Sequence, residues 1–145
     1  MSQFRKLTDH MSVSPQITTA DIDEAVADGV ELIINNRPDD EEMGQPSNDE
    51  LAAYASEKGL KWVHIPIVSG QVTMEAISIT SAALKDADKI LAYCRSGTRS
   101  CNLWGLAAAY AGSEETAAII EKSAAAGYDL SSMASTLKHL HGTED

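Results

Sequence analysis

The chain has 145 residues, of which 43% are hydrophobic and 23% charged, and its formal net charge is -11. This length and composition predict one soluble globular domain over residues 1–145, with enough apolar residues for a proper core. So negative a chain is a poor nonspecific partner for nucleic acid or an anionic membrane. The N-terminal segment is polar, no apolar run reaches membrane-spanning length, and two cysteines are too few for a disulfide scaffold. We therefore expect a cytoplasmic protein.

Short apolar runs alternate with longer amphipathic segments along the chain. We predict strands at residues 11–13, 30–35, 61–65 and 90–93. We predict helices at about residues 18–28, 47–59, 73–84, 101–110, 114–126 and 130–140, with a turn at 70–71. This alternation predicts an α/β domain with a mainly parallel central sheet flanked by helices. Ligands bind beyond the carboxyl ends of such strands, so the loops 36–42, 66–71 and 94–99 are expected to meet there.

The segment after the strand at 90–93 has the clearest chemical signal. Cys94 ends the strand, and the loop Arg95-Ser96-Gly97-Thr98-Arg99 leads into a helix. The backbone N–H groups of such a loop and of the first helical turn form an anion site. The helix dipole and two arginines favour the thiolate form of the cysteine, and Gly97 suits a positive φ or the close approach of a bound anion. A buried structural cysteine is the alternative, but this combination of residues favours a catalytic thiolate.

Two enzyme families use this arrangement. Cys94 to Arg99 follows the pattern Cys-x-x-Gly-x-Arg, which resembles the active loop of rhodanese-type sulfurtransferases, whose cysteine carries a persulfide. Cys94 followed by Arg99-Ser100 also resembles the signature of protein tyrosine and dual-specificity phosphatases. In those phosphatases one more residue usually separates the cysteine from the arginine. The loop alone leaves both chemistries open.

Motifs along nearly the whole chain resemble a single family. They lie at residues 11–17, at 36–39 together with 44–47, at 64–71 and at 93–100. In this order they are similar to the phosphatase-like domain of the beta-lactamase-hydrolase-like proteins, and the resemblance covers about residues 4–140. It implies a dual-specificity-phosphatase-like fold. This domain occurs alone or fused to a metallo-hydrolase or persulfide-oxidising domain, which implies a functional link to a metallo-beta-lactamase-like sulfur-oxidising protein.

The resemblance also implies roles for individual residues. Cys94 would be the nucleophile, and the backbone of residues 95–99 with the Arg99 side chain would hold the oxygens of a phosphate or thiosulfonate group. Ser100 would hydrogen-bond the thiolate as it leaves. The expected substrate is a small anion, either a phosphate ester or thiosulfate or a persulfide. We expect no cofactor, and no metal because the histidines show no metal-ligand spacing with cysteines or carboxylates.

The proton donor is harder to place. Residues 64–69, where many phosphatases keep their general-acid aspartate, contain no carboxylate. One residue of the acidic loop 39–42 could supply it, with Asp39 the preferred candidate, although we favour the interpretation that this loop is solvated surface. Arg37 either adds positive charge to the pocket or pairs with that loop. Cys101 is expected to be buried and structural rather than a resolving thiol.

Three functional hypotheses follow. The first is a cysteine-dependent phosphatase with a phosphocysteine intermediate, and it depends on the whole-chain resemblance. The second is a sulfurtransferase that carries a persulfide on Cys94, which the short loop and the missing acid favour. The third is a noncatalytic anion- or redox-sensing module, which would be preferred if replacing Cys94 left every activity unchanged.

Overall fold

The structure, a computed structural model, describes residues 3–68 and 71–144. Its strands are β1 Arg5–Thr8, β2 Met11–Ser14, β3 Leu32–Asn35, β4 Lys61–His64 and β5 Ile90–Tyr93. Its helices are α1 Thr19–Ala27, α2 Asn48–Glu57, α3 Met74–Lys85, α4 Thr98–Ala111, α5 Thr116–Ala125 and α6 Ala134–Leu140. A short 3-10 helix, Ser131–Met133, precedes α6. The predicted α/β class is confirmed.

All strands form one sheet in the order β1-β2-β5-β3-β4, and every neighbouring pair except β1 and β2 is parallel. The register aligns the strand ends. Tyr93 on β5 lies between Ser14 on β2 and Asn35 on β3, and Asn35 pairs in turn with His64 on β4. Four parallel strands therefore end at one level, and the loops that follow them leave from a single edge of the sheet.

Two hydrophobic cores lie on opposite faces of the sheet. On one face, α1 and α2 bury residues such as Ile22 and Leu51 against Ile33 and Leu91. On the other, α3 to α6 pack with the alternate residues of the same strands. Because both faces are covered, β3 and β5 are fully buried, which explains why their sequences are continuous apolar runs rather than alternating ones.

The first three helices begin where the sequence predicts, at residues whose side chains satisfy unpaired backbone N–H groups. The side chains of Thr18, Ser47 and Thr73 each accept a hydrogen bond from the N–H group three residues later. Across the described residues, no helix combines the length and the apolar character needed to cross a membrane.

Three segments differ from the prediction. Strand β1 was missed because its Arg-Lys-Leu-Thr sequence is polar and only Leu7 is buried, as suits an edge strand. Helix α4 begins at Thr98 rather than at residue 101, which places Arg99 on the helix. The last predicted helix starts as a 3-10 turn, where the Asp129 side chain accepts hydrogen bonds from Ser131. The predicted turn at 70–71 lies partly outside the described residues.

The central strand predicts a clear effect on stability. Leu91 on β5 has 0% of its surface exposed, so Leu91→Ala leaves a cavity and is expected to lower the free energy of unfolding by about 2–5 kcal/mol. Ile79→Ala removes a residue that is 42% exposed and should cost less than about 1 kcal/mol. Urea unfolding followed by circular dichroism measures both, and similar losses for the two variants would contradict the buried position of β5.

Candidate active site

Backbone hydrogen bonds join the loops at the carboxyl edge of the sheet. The Cys94 N–H donates to the Ser14 carbonyl (3.3 Å), and the Gln16 N–H donates to the Arg95 carbonyl (3.2 Å). Arg99 reaches the loop after β4 by donating from Nη1 to the Ile67 carbonyl (2.9 Å). The Ile67 N–H donates to the Asn36 carbonyl (2.9 Å), so the expected meeting of the loops that follow β3, β4 and β5 is confirmed. The sequence analysis did not include the fourth loop, which follows β2.

Gly97 sets the position of the Cys94 sulfur against helix α4. It has a φ of +93° and directly precedes the helix, so the expected positive φ is confirmed. Its N–H donates to Cys94 Sγ across 3.1 Å, and Cys94 is 0% exposed. Within the described part of the chain, the first-turn N–H groups of Arg99 and Ser100 donate to no protein acceptor. The positive end of α4 therefore favours negative charge on the sulfur or beside it.

Tyr128 supports the loop from outside. Its hydroxyl donates to the Ser96 carbonyl across 3.0 Å, and a Cβ added at Gly97 would lie only 2.1 Å from that hydroxyl oxygen. Arg5 lies 5.3 Å from the centre of the Tyr128 ring and donates to the Ala126 carbonyl (3.2 Å). A side chain at position 97 would therefore force Tyr128 to move. The sequence analysis missed Tyr128, and no local motif marks it.

Glu41 binds the guanidinium group of Arg99 with both carboxylate oxygens. The two bonds are 2.8 Å from Nη1 to Oε2 and 2.9 Å from Nη2 to Oε1. Nη1 uses its second hydrogen for the Ile67 carbonyl. These bonds leave Nε–H and the other N–H of Nη2, which form the second edge of the guanidinium. The hydrogen bond to Glu41 raises the pKa of Arg99, and the nearby Cys94 contributes. That second edge has the geometry to hold an oxyanion with two bonds.

Arg37 holds Glu41 from behind. Its side chain is buried, and Nε donates to Glu41 Oε1 (2.9 Å), Nη2 to Glu42 Oε1 (3.2 Å) and Nη1 to Gln16 Oε1 (2.9 Å). Of the two alternatives for Arg37, the second is therefore observed, because Arg37 forms ion pairs with the acidic loop. Hydrogen bonds from Arg99 and then from Arg37 lower the Glu41 pKa from 4.5 to about 2, although partial burial opposes the shift.

The expectation that the acidic loop is merely solvated surface is wrong for two of its residues. Glu41 pairs with Arg37 and Arg99, and Glu42 pairs with Arg37 and, at 3.6 Å, with Arg95. Once the topology brings the loop to the arginines, its carboxylates neutralise them. Asp39, the preferred acid candidate, accepts a hydrogen bond from the Asn48 N–H (2.8 Å) at the start of α2.

Ser100 is connected to the neighbouring strand end rather than to the sulfur. Its hydroxyl donates to Asn36 Oδ1 across 2.8 Å, and Asn36 Nδ2 donates to the Ile65 carbonyl across 2.9 Å. Because the Ser100 proton is used by Asn36 in this arrangement, a hydrogen bond from Ser100 to Cys94 requires the hydroxyl to rotate.

Cys101 lies in the core, as expected. It is buried, its thiol donates to Ser123 Oγ (3.4 Å), and burial raises its pKa to about 11. His64 lies at the end of β4 with Nε2 3.0 Å from the Arg37 carbonyl. Among the described residues, no group of three or more histidine, cysteine or acidic side chains could hold a metal ion.

An open cavity of about 470 Å³ lies above the loop. Glu41 lines the cavity together with four residues of the predicted anion loop, namely Arg95, Ser96, Thr98 and Arg99. The Ser96 hydroxyl donates to the Thr98 hydroxyl across 3.0 Å. Cys94 is buried and does not line this cavity. An anion in the cavity would therefore meet hydroxyl and guanidinium groups, and also the Glu41 carboxylate, rather than the sulfur itself.

The chain is similar to proteins of one family over most of its length. The family model described as beta-lactamase hydrolase-like protein, phosphatase-like domain, matches residues 3–111. The beta-lactamase hydrolase-like protein of Agrobacterium fabrum (strain C58) is 29% identical over 86% of this chain and 29% of its own length. That of Xylella fastidiosa (strain 9a5c) is 30% identical over 86% of this chain and 29% of its own length. The chain thus spans less than a third of these relatives.

Solved structures share the fold. One from Neisseria meningitidis Z2491, provisionally assigned as a phosphatase, has a TM-score of 0.82 and 31% identity and covers 97% of this chain and 100% of its own. Tk-PTP in its active form has a TM-score of 0.68 at 18% identity, covering 95% of this chain and 93% of its own. The core catalytic domain of the PP-IP phosphatase SIW14 from S. cerevisiae has a TM-score of 0.70 at 12% identity, covering 97% and 85%. The predicted dual-specificity-phosphatase-like fold is confirmed.

The fit between Gly97 and Tyr128 can be tested against a second glycine of similar backbone conformation. Gly44 has a φ of +83° and no atom within 4 Å of an added Cβ, so Gly44→Ala should lower the free energy of unfolding by about 1 kcal/mol. Gly97→Ala adds the collision with Tyr128 and should cost at least about 2 kcal/mol. Thermal and urea unfolding measure the difference. Equal losses would show that Tyr128 does not restrict this position.

The depressed pKa of Glu41 predicts a pH dependence of stability. Ionised Glu41 stabilises the fold above its unfolded pKa of about 4.5, and this contribution is lost as the pH falls through about 2. Glu41→Gln should therefore reduce the change in the free energy of unfolding between pH 6 and about pH 3. The control is Glu121→Gln, since Glu121 forms no ion pair within the described residues. If the free energy of unfolding of Glu41→Gln changed with pH as much as that of the wild type, the ion pairs described here would be contradicted.

Proposed function

We propose, because this chain belongs to the phosphatase-like domain family of the beta-lactamase hydrolase-like proteins, that it hydrolyses phosphate esters through a thiolate at Cys94. A phosphatase-like function agrees with the family and with the phosphatase fold. The observation that most supports the finer proposal is the hydrogen bond from the Gly97 N–H to Cys94 Sγ at the N-terminus of α4. That position stabilises a negatively charged sulfur.

The proposed first step forms a covalent intermediate. The Cys94 thiolate donates an electron pair to phosphorus, the bond from phosphorus to the ester oxygen breaks, and the leaving oxygen takes that bond's electron pair. The second edge of the Arg99 guanidinium and the unpartnered N–H groups of the first turn of α4 would hold the phosphoryl oxygens. Water then attacks phosphorus and loses a proton to solvent, and the phosphorus–sulfur bond breaks with its electron pair going to sulfur, which releases inorganic phosphate and restores the thiolate. In this scheme Ser100 turns from Asn36 towards the sulfur as the thiolate leaves.

Sulfur transfer is the second candidate. It is favoured because the carboxyl groups of the acidic loop are poor candidates for the proton donor that a phosphatase uses. Glu41, which contacts Arg99, has a pKa of about 2 and is therefore a poor proton donor near neutral pH. Asp39, the other candidate, is bound at the start of α2. In this reaction the Cys94 thiolate attacks the outer sulfur of thiosulfate, and sulfite leaves with the electron pair. An acceptor thiolate then takes the outer sulfur of the persulfide and releases the Cys94 thiolate. Neither leaving group needs a proton.

The relatives suggest a biological setting. They are about three times as long as this chain and are named as beta-lactamase hydrolase-like proteins. We therefore propose that this domain works with a metallo-beta-lactamase-like, sulfur-oxidising protein. Its two free cysteines are consistent with a reducing, cytoplasmic location.

Phosphate release from nitrophenyl phosphate between pH 5 and 8 tests the first proposal. The wild type should turn over, Cys94→Ser should fall to the background rate because it lacks the nucleophile, and Cys101→Ala should stay active because Cys101 lies in the core. If no protein releases phosphate, the phosphatase proposal is wrong. Thiosulfate should then add one sulfur atom to the intact mass of the wild type and of Cys101→Ala, but not to that of Cys94→Ser.

A further inference from the structure

A groove of about 450 Å³ starts at Arg99 and lies between α3, α4 and α6. Apolar side chains form most of its walls, including Ile77 on α3, Leu106 on α4 and Leu140 on α6. Met74, at the start of α3, also lines the groove and is 52% exposed. A groove of this volume is in the range of small-molecule sites. The described site above Cys94 does not account for it.

The groove adjoins the cavity above the anion loop at one residue, Arg99. Arg99 lines both the groove and the cavity above the loop. Arg99, Asn102 and Leu106 all line the groove, and their spacing places them on one face of α4. The groove therefore runs along the Arg99 face of α4, the helix whose N-terminus faces Cys94. A molecule whose charged end lies at Arg99 could place its remaining part in the groove.

The charge of the lining differs from that of the whole chain. The chain has 22 acidic and 11 basic residues, yet among the described residues no acidic side chain lines this groove. The ionisable groups in the lining are Arg99 and His139. Glu41 pairs with one edge of the Arg99 guanidinium, but the second edge keeps two N–H donors for an anion. These donors and the apolar walls complement a ligand with an anionic head and an apolar body. An acidic or strongly polar partner would leave the apolar walls without a counterpart.

We propose that the groove binds the apolar part of the anionic substrate whose oxygens Arg99 and the loop hold, an inference that depends on the proposed function. The favoured substrates are then phosphate esters with a large aryl or other apolar leaving group. Small hydrophilic phosphate esters would fill the loop alone. The groove would thus determine specificity, while the loop supplies the chemistry.

The test compares naphthyl phosphate with phenyl phosphate. Wild type should favour naphthyl phosphate in kcat/KM, because the second ring removes more apolar surface from water. Met74→Glu puts a charge into the groove wall and should lower the ratio of the two kcat/KM values by about tenfold. Ile79→Glu is the matched control, since Ile79 is on the same helix, is 42% exposed and does not line the groove. It should keep the wild-type ratio.

A binding measurement separates this inference from the proposed function. The fluorescent probe anilinonaphthalene sulfonate has an anionic head and an apolar body, so it should bind wild type and Ile79→Glu, bind Met74→Glu about tenfold more weakly, and be displaced by inorganic phosphate. If the probe binds in this way but no protein hydrolyses an ester, the phosphatase proposal is wrong and the groove proposal stands. The groove proposal would be overturned if the wild type hydrolysed both esters with equal kcat/KM. It would also be overturned if Met74→Glu bound the probe as tightly as the wild type does. Sedimentation provides a further check. If the wild type and Ile79→Glu were dimers and Met74→Glu a monomer, a second copy of the chain would occupy the groove, and the proposal would be overturned.

Discussion

The whole site depends on the backbone turn at Gly97. A positive φ at this residue lets the chain leave β5 and begin α4 at once, so that the start of the helix faces the sulfur at the end of the strand. A residue with a side chain would have to strain the backbone and displace Tyr128. The position of the thiol, the direction of the helix dipole and the placement of Arg99 on the first turn all follow from this one turn.

Charge pairing at the site reconciles a strongly acidic chain with a loop that we propose binds an anion. Arg37 and Arg99 share the Glu41 carboxylate, which offsets the repulsion between the two cations and holds the side chain of Arg99 in one orientation. The ion pair with Glu41 on one edge of Arg99 offsets part of its positive charge, but it fixes the direction of the remaining N–H donors. Binding of an anion then requires little further ordering of that side chain, which limits the entropic cost of binding.

Features set by neighbouring residues could be predicted from the sequence, whereas features set by distant contacts could not. The β5–α4 turn, the positive φ of Gly97, the N-caps and the common edge of parallel strands follow from local chemistry and topology. The pairing of Glu41 with Arg99 joins residues 58 apart, and that of Tyr128 with Ser96 joins residues 32 apart. Without the packed fold, Glu41 resembles any acidic loop residue. Strand β1 was missed for a related reason, because its pairing with β2 rather than its polar sequence makes it a strand.

The match to the family model ends at residue 111, just where α4 ends. The Cys94 sulfur, the loop, the arginines and the α3 and α4 walls of the groove lie before this point, whereas Tyr128 and the α6 wall lie after it. One wall of the proposed groove would thus be encoded after the residues that surround the sulfur, while the α3 and α4 walls are encoded before or among them. Mutations in the later stretch could change which molecules are accepted while the residues around the sulfur stay the same, which would allow related proteins to diverge in substrate without a new catalytic loop.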